Sequence, residues 1–343
     1  METYTASSDC FVEINIGKYS NIVLSHYEKK YGKETRNKIL SNGLRIFSQS
    51  EKQIHISANH NLLLVGKVQS GKTANLELLS GLFFDNGYDF IIIYGGYDKK
   101  LLSQTENRFK DTYKYEVDDT NSPYIISTSD EADILEFDYL KLYELTEKKQ
   151  PTILIAMKRT KALQKVIDLL DRLNVQLKSI IIDDEGDQAS LNTQFRKNGK
   201  SATYYKITEM KRKLNNPPYF SVTATPHANI FLDDLSELRP ETILLIPPSK
   251  GYTGSEFFHL DDTKIITLTD SEIDEFEVCN FPKTLQNAIY HFLISSAIMR
   301  LKGLYYSDMI IHTAKEIYKH YVIYTSLSHF INFIKGNYYI NGT

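Results

Sequence analysis

The chain has 343 residues, 42% of them hydrophobic, so it can build the core of one large domain or of two modest ones. Its formal net charge of −3 at pH 7 argues against a globally basic nucleic-acid binder, though not against a local basic groove. The two cysteines, Cys10 and Cys279, form neither a zinc motif nor a disulfide framework, and the sequence shows no signal peptide or membrane-spanning run, so we expect a cytoplasmic protein without a membrane partner.

Residues 1–58 are mixed and polar, and their helical patterns predict two helices, Lys18–Tyr31 and Glu34–Ser48. From Asn61 onward, short apolar runs alternate with helical patterns such as Lys161–Leu173, whose apolar residues share one face. The runs show little polar alternation, which is typical of strands that are buried on both faces. Seven such strands are predicted: Leu62–Val65, Phe90–Tyr94, Tyr124–Ile126, Ile153–Ala156, Ile180–Ile182, Phe220–Thr223 and Ile243–Ile246.

This alternation of strand and helix predicts an α/β fold with a doubly wound parallel sheet, and ligands in such sheets bind at the carboxyl ends of the strands. After the last strand, residues 247–290 are irregular and partly acidic, which indicates a connector. A helix is predicted over Leu285–Leu301, followed by the start of a further strand at Asp308–Thr313 and by another helix.

The loop after the first strand of the sheet carries a phosphate-binding pattern. Residues 66–73 read Gly-Lys-Val-Gln-Ser-Gly-Lys-Thr, which matches G-x-x-x-x-G-K-[ST]; chance gives such an octamer in roughly one chain in a hundred of this length. Backbone N–H groups would surround the phosphates, Lys72 would reach the β- and γ-phosphates, and Thr73 would bind Mg²⁺. The candidate ATP-binding residues are Gly66, Gln69, Ser70, Gly71, Lys72 and Thr73.

A second pattern follows the strand at Ile180–Ile182, where the sequence continues Asp-Asp-Glu-Gly-Asp over residues 183–187. Asp184 would hold the water shell of Mg²⁺, and Glu185 would orient or deprotonate the attacking water. The alternative is an acidic loop that caps a helix N-terminus. The Asp-Glu-x-Asp form resembles the second motif of superfamily-two helicases and translocases.

A third pattern, Ser-Val-Thr-Ala-Thr-Pro over residues 221–226, ends a predicted strand about 40 residues further on. It resembles the Ser/Thr-Ala-Thr motif of the same proteins, in which it links hydrolysis to movement of the lobes. We therefore include Thr225 among the catalytic candidates. The alternative is a strand that ends in a Thr-Pro turn.

Longer strings that include these motifs, at residues 66–73, 184–193, 223–233 and 247–258, together resemble the "Z-one" domain family. These helicase-like proteins, also described as endonucleases, occur in bacterial modification and anti-phage defence neighbourhoods. The resemblance covers residues 60–325 approximately. It implies RecA-like lobes in three layers, with ATP and Mg²⁺ at their cleft and DNA as the nucleic acid. By position, Lys72 and Thr73 bind phosphate and Mg²⁺, Asp184 and Glu185 act in hydrolysis, and Thr223–Pro226 couple the lobes.

The resemblance divides the chain into an N-terminal helical segment (1–58), an ATPase lobe (59–248), and a connector with the beginning of an incomplete second lobe (249–343). In the family the second lobe supplies an arginine to the ATP site, and Arg300 is not an obvious substitute. We therefore expect the chain alone to bind ATP yet hydrolyse it poorly. The resemblance also implies that Gly95–Tyr97 and Gln104 contact the nucleic-acid backbone; their alternative is an ordinary loop and an exposed helix residue.

Three other functions remain as alternatives. The chain could be a nucleotide-binding interaction module that needs a protein partner, or a small-molecule kinase. A direct nuclease would need a Glu-x-Lys string on a strand, and the strings at residues 28–30 and 147–149 are more typical of solvated helix ends. His227 and His312 are more typical of structural residues than of ligands.

Overall fold

The computed structural model describes residues 2–5, 12–56, 59–114, 122–130, 136–174, 176–188, 190, 201–233, 236–248, 252–260, 265, 269, 271–272, 282–312 and 316–341. The chain forms two compact units, residues 1–254 and 255–343. Both cysteines lie outside the described residues, as do residues 189, 191–193 and 249–251 of the longer strings. The division at residues 58 and 248 stays a prediction.

The first unit begins with a small antiparallel pair of strands, β1 (Glu2–Thr5) and β2 (Glu13–Ile16), which the sequence did not predict. Two helices follow, α1 (Lys18–Tyr31) and α2 (Lys33–Ile56). Both helix predictions are confirmed, although α2 continues beyond the predicted end at Ser48.

Seven strands then form one parallel sheet in the order β5-β6-β4-β7-β8-β3-β9, which confirms the predicted α/β fold with its doubly wound sheet. Each strand is one of those predicted, with ends that shift by at most two residues. The strands are β3 (Asn61–Gly66), β4 (Phe90–Tyr94), β5 (Tyr124–Thr128), β6 (Thr152–Ala156), β7 (Ser179–Asp184), β8 (Tyr219–Thr223) and β9 (Thr242–Ile246).

Helices cover both faces of the sheet because the strands are apolar on both sides. Within β6, for example, Ile153 and Ile155 join the cluster that includes helices α1 to α3, whereas Leu154 joins the cluster on the other face. The helices of this unit after α2 are α3 (Lys72–Asp85), α4 (Lys99–Tyr113), α5 (Glu136–Glu147), α6 (Thr160–Leu173), α7 (Ala202–Lys213) and α8 (His227–Ile230).

A carboxylate at the end of α3 fixes the start of α1. Asp85 accepts hydrogen bonds from the backbone N–H groups of Gly17, Tyr19 and Ser20 at 2.8–3.0 Å. These N–H groups lie at the N-terminus of α1, which has no intrahelical partners for them. A Cβ atom on Gly17 would lie 2.7 Å from Asp85 Oδ1, so a side chain there would displace the Asp85 carboxylate. The N-terminal segment is thereby packed against the helix that follows the phosphate loop.

The second unit contains α9 (Ser255–His259), α10 (Lys283–Leu301) and α11 (Ile317–Asn341). The helix predicted at Leu285–Leu301 is confirmed. The strand predicted at Asp308–Thr313 is wrong for its described part, because residues 304–312 have no regular structure and Ile310 is 88% exposed. An apolar run becomes a strand only where a neighbouring strand pairs with it. No helix in the described parts of the chain is both long and apolar enough to cross a bilayer.

Candidate functional site

The phosphate-binding pattern forms the turn between β3 and α3, as the sequence predicts. Gly71 lies immediately before α3 with φ 89° and ψ 26°, and Gln69 has φ 56°, so two of the loop residues adopt the left-handed conformation. This conformation suits glycine, which has no Cβ atom to clash. The loop therefore ends at the N-terminus of a 14-residue helix. The free backbone N–H groups of such an N-terminus are suited to binding anions.

The side chain of Lys72 folds back across this loop. Its ammonium group lies 3.4 Å from the carbonyl oxygen of Gly66 and 3.3 Å from that of Lys67. A Cβ atom on Gly66 would lie 2.7 Å from Lys72 Cγ, so the first glycine of the pattern leaves room for the lysine stem. The two positions are thus linked by packing as well as by the pattern.

The loop residues fit a bound phosphate chain. The hydroxyl oxygen of Ser70 is buried and has no hydrogen-bond partner within the described protein, although buried polar atoms are normally paired. The hydroxyl of Thr73 accepts a hydrogen bond of 3.1 Å from Arg108 on α4. Three groups of this loop could therefore bind a triphosphate: the buried Ser70 hydroxyl, the backbone at the left-handed Gly71 and the ammonium group of Lys72.

The acidic pair lies at the same edge of the sheet as the loop. Strand β7 ends at Asp184 and pairs with β8, which in turn pairs with β3, the strand that leads into the phosphate loop. Because all these strands are parallel, their carboxyl ends lie side by side. The sheet therefore brings together Asp184–Glu185 and Lys72, as the sequence predicts.

Electrostatics also link the two motifs. The pKa of the Asp184 carboxyl is raised to about 6, chiefly by burial and also by the neighbouring Glu185, whereas the positive charges of Lys158 and Lys72 oppose the rise. Among the described residues, no three His, Cys, Asp or Glu side chains form a metal-binding group. Mg²⁺ is commonly held by one or two protein groups together with phosphates and water, which Thr73 and Asp184 could provide.

A buried ion pair beneath the acidic turn was missed by the sequence analysis. Lys158 follows β6 and is 1% exposed, and its ammonium group lies 3.0 Å from the carboxylate of Asp183, which is fully buried. The hydroxyl of Tyr219 on β8 donates to the other carboxylate oxygen of Asp183. The same ammonium group donates to the main-chain carbonyl oxygens of Asp184 at 2.8 Å and Glu185 at 2.6 Å.

The end of β8 contacts the acidic turn through Asp187. Thr223 and Thr225 donate hydrogen bonds of 2.7 Å and 2.5 Å to the two carboxylate oxygens of Asp187. The backbone N–H of Gly186 also donates to the carbonyl oxygen of Val222, at 3.0 Å. The second and third motifs, which the sequence places about 40 residues apart, are therefore in direct contact.

The proposed nucleic-acid segment lies in the loop after β4. Gly96 has φ 94°, and its carbonyl oxygen accepts a 2.7 Å hydrogen bond from the backbone N–H of Lys158. Arg159 donates to the carbonyl oxygen of Tyr97 at 2.8 Å, and Tyr97 is 45% exposed. Gln104 is exposed on α4. Gly95 and Gly96 are buried, whereas Tyr97 and Gln104 are exposed.

One string without an assigned role contacts the phosphate loop. The hydroxyl of Tyr252 donates a 2.5 Å hydrogen bond to the carbonyl oxygen of Val68, 184 positions earlier. A Cβ atom on Gly254 would lie 2.4 Å from the Tyr252 ring, so the glycine accommodates this ring. No local pattern in the sequence could have indicated so distant a contact.

The residues considered for a nuclease or a ligand role lie at helix ends, at a helix start and in an irregular segment. The Glu-x-Lys strings occur at the C-terminal ends of α1 and α5 rather than on strands, as expected for solvated helix ends. His227 begins the short helix α8, and the ring of His312 packs against that of His320 at a centroid distance of 5.2 Å.

No protein-family model matches this sequence, and no curated protein is significantly similar to it. Among solved structures, the chain is similar to the helicase domain of Pyrococcus furiosus Hef, with 14% identity over 75% of this chain and 55% of that chain and a TM-score of 0.39. It is also similar to the DUF1998 helicase MrfA bound to DNA, with 13% identity over 73% of this chain and 32% of that chain and a TM-score of 0.44. The chain thus spans about half and about a third of these two structures.

Proposed function

We propose that this chain binds ATP with Mg²⁺ and hydrolyses it, and that hydrolysis drives helicase-like remodelling of DNA. One observation carries the proposal: Asp184 ends β7 and Lys72 begins α3 after the turn that follows β3, and these two strands are separated only by β8, so both residues lie at one edge of the sheet. The positive charge of Lys72 opposes the rise in the pKa of Asp184 that burial causes. A phosphate-binding lysine and a carboxylate in this relation form the two sides of a hydrolytic site.

Each residue then has a stated role. The backbone N–H groups of Gly66, Gln69, Ser70 and Gly71 bind phosphate oxygens, and Lys72 binds the β- and γ-phosphates. The Thr73 hydroxyl and the Asp184 carboxylate hold Mg²⁺, which when bound neutralises phosphate charge. Glu185 orients the attacking water and accepts its proton. The hydroxyl of Thr73 must exchange its contact with Arg108 for the metal ion.

DNA is the proposed nucleic acid. Helices α4 and α6 begin after the adjacent strands β4 and β6, so their N-termini lie at the carboxyl edge of the sheet. Helix N-termini and basic side chains are the groups that bind backbone phosphates. The basic residues at these two helix starts are Lys99, Lys100, Arg159 and Lys161. Tyr97 and Gln104 would add contacts to the same strand of DNA.

The resemblance to the Z-one family is the basis for the biological system, the compartment and the second lobe that we propose. On that basis the chain works in a bacterial DNA modification or anti-phage defence system in the cytoplasm, with a RecA-like ATPase lobe at residues 59–248. A second lobe, within a longer protein or from a partner, would supply the arginine that completes the ATP site. Such an arginine raises hydrolysis by about 10³–10⁵-fold in related enzymes.

The test is ATP turnover in the presence of Mg²⁺, measured with and without single- and double-stranded DNA. We expect DNA to raise the turnover rate, and Lys72→Ala to lower it at least about tenfold, because a charge-assisted contact contributes about 1.5–3 kcal/mol. Lys33→Ala, which removes an exposed lysine at the start of α2, is the matched control. Turnover that is indifferent to every nucleic acid would contradict the motor function, and full turnover by Lys72→Ala would contradict the ATP site.

A second candidate function is a nucleotide-binding module that needs a protein partner for turnover. It is favoured by apolar side chains of the second unit, of which Leu301 is 89%, Tyr306 92% and Ile310 88% exposed. Large exposed apolar areas commonly mark interaction surfaces. In this case the chain alone binds ATP but hydrolyses it slowly until the partner is added. Fast turnover by the chain alone would contradict this alternative.

A further inference from the structure

Lys158 makes an unusual set of contacts for a lysine. It is 1% exposed, and its ammonium group has three acceptors: Asp183 Oδ1 at 3.0 Å, the Asp184 carbonyl oxygen at 2.8 Å and the Glu185 carbonyl oxygen at 2.6 Å. An ammonium group has three N–H donors, so all of them are used. Two of the three acceptors belong to the main chain of the candidate hydrolytic pair.

The conformation of the acidic turn requires such support. Glu185 has φ 53°, a left-handed conformation that residues with a Cβ atom seldom adopt. Positions of this kind persist only where the surrounding contacts impose them. Here the Glu185 carbonyl oxygen accepts hydrogen bonds from Lys158 and, at 2.9 Å, from the backbone N–H of Gln188, and the Glu185 N–H donates to the Asp184 carboxylate at 3.2 Å.

The buried ion pair is not needed for stability alone. Burying two charges costs several kcal/mol in desolvation, and an apolar pair of similar size is often equally stable. Asp183 balances the charge of Lys158, and Tyr219 uses the second carboxylate oxygen. What an apolar pair could not provide is a donor to the carbonyl oxygens of Asp184 and Glu185.

We propose that Lys158 is a positioning residue for hydrolysis: it holds the main chain of Asp184 and Glu185, and thereby orients the carboxylate of Asp184, which would hold Mg²⁺, and that of Glu185, which would act on the attacking water. The inference rests on the proposed ATPase function. Because Lys158 is buried and its three donors are used by protein acceptors, it would act through Asp184 and Glu185 rather than by binding nucleotide or metal ion. Its loss should therefore change the catalytic rate and the Mg²⁺ dependence while leaving ATP binding to the phosphate loop in place.

Two single variants separate positioning from lost stability. Lys158→Met and Asp183→Asn each leave one buried charge without its partner, so both should unfold at lower temperature than the parent chain. Only Lys158→Met removes the contacts to the Asp184 and Glu185 carbonyl oxygens. The double variant Lys158→Met/Asp183→Asn removes both charges. If either single variant does not fold, the double variant still shows whether loss of the Lys158 contacts lowers the catalytic rate.

The measurements are kcat, the KM for ATP and the Mg²⁺ concentration at half-maximal rate. We expect Lys158→Met and the double variant to lose about 10–100-fold in kcat and to need more Mg²⁺, as is typical when a residue behind a metal ligand is removed. Asp183→Asn should lose less than Lys158→Met, because Lys158 keeps its carbonyl contacts. The KM for ATP should change by less than about threefold, since the phosphate loop is intact.

The results distinguish a failure of the positioning role of Lys158 from a failure of the proposed ATPase function. If the parent chain hydrolyses ATP and Lys158→Met matches Asp183→Asn in kcat and in Mg²⁺ dependence, the positioning role is wrong and the ATPase function stands. A double variant with the parental kcat would overturn the inference in the same way. If the parent chain does not bind ATP, both proposals fall together.

Discussion

The hydroxyl of Thr225 donates a 2.5 Å hydrogen bond to a carboxylate oxygen of Asp187, which joins the end of β8 to the acidic turn after β7. Thr223 donates to the other oxygen at 2.7 Å, and its hydroxyl oxygen accepts a 2.9 Å hydrogen bond from the backbone N–H of Thr225. One carboxylate is therefore held by two threonines. We expect a change at Asp184–Glu185 to reach β8 through this contact.

Replacing Thr225 by alanine should weaken that connection. A hydrogen bond to a carboxylate contributes about 1.5–3 kcal/mol, so we expect the stimulation of ATP turnover by DNA to fall about tenfold in Thr225→Ala. Turnover without DNA should fall less, because Thr225 does not contact Asp184 or Glu185 in the hydrogen bonds described. Thr225→Ser, which keeps the hydroxyl, is the control. Equal stimulation of Thr225→Ala and the parent would rule out this coupling.

Gly66→Ala should impair ATP binding by displacing a side chain. The new Cβ atom would lie 2.7 Å from Lys72 Cγ and 3.1 Å from Lys72 Cδ, so the lysine stem must move out of the loop. We expect the Kd for ATP to rise at least about tenfold, the equivalent of about 1.4 kcal/mol. The control is Gly336→Ala on α11, where a Cβ atom would meet nothing within 4 Å. Titration with a fluorescent ATP analogue measures both, and unchanged affinity would contradict the contact.

A buried carboxyl group makes the stability of the first unit depend on pH. Glu77 on α3 accepts 2.8 Å hydrogen bonds from the hydroxyls of Tyr27 and Thr112. Burial raises the pKa of Glu77 to about 7 from an ordinary value of 4.5, against the opposing effects of those hydrogen bonds and of Arg108 and Lys30. Between these two values the folded chain binds more protons than the unfolded chain, so stability falls as pH rises from about 4.5 to 7.

Glu77→Gln should remove this dependence, because the amide keeps an acceptor oxygen for both hydroxyls and carries no charge. At pH 8 we expect the variant to be more stable than the parent by about 1–3 kcal/mol, with little difference near pH 4.5. Urea unfolding at both pH values measures the change in unfolding free energy. The exposed Glu241 provides the control Glu241→Gln. A variant that is less stable than the parent at pH 8 would show that the charged form is the native one.

The sheet could be predicted from the sequence because its strands are apolar on both faces. Ile153, Leu154 and Ile155 are all fully buried, so the run itself shows where the strand lies. The same rule failed at residues 308–312, where an apolar run exists but no neighbouring strand in the described part of the second unit pairs with it. Strand pairing depends on the tertiary structure, so the hydropathy of a run alone does not predict whether a neighbouring strand will pair with it.

The candidate site was predicted only where its residues form local patterns. Lys72, Asp184 and Thr225 belong to short motifs whose spacing reflects chemistry. Lys158 does not, because its acceptors lie 25–27 positions away, and lysine is rarely buried unless it is paired. The contact of Tyr252 with Val68 spans 184 positions and depends on how the chain returns to the loop.

If Gly66–Thr73 and Asp184–Glu185 form one site for ATP hydrolysis, as we propose, the decisive variant is Glu185→Gln. The amide keeps the size of the side chain but cannot accept a proton from water. We expect this variant to bind ATP and Mg²⁺ as tightly as the parent while its kcat falls about 10²–10⁴-fold, the usual contribution of a general base. Hydrolysis by Glu185→Gln at the parental rate would contradict the claim.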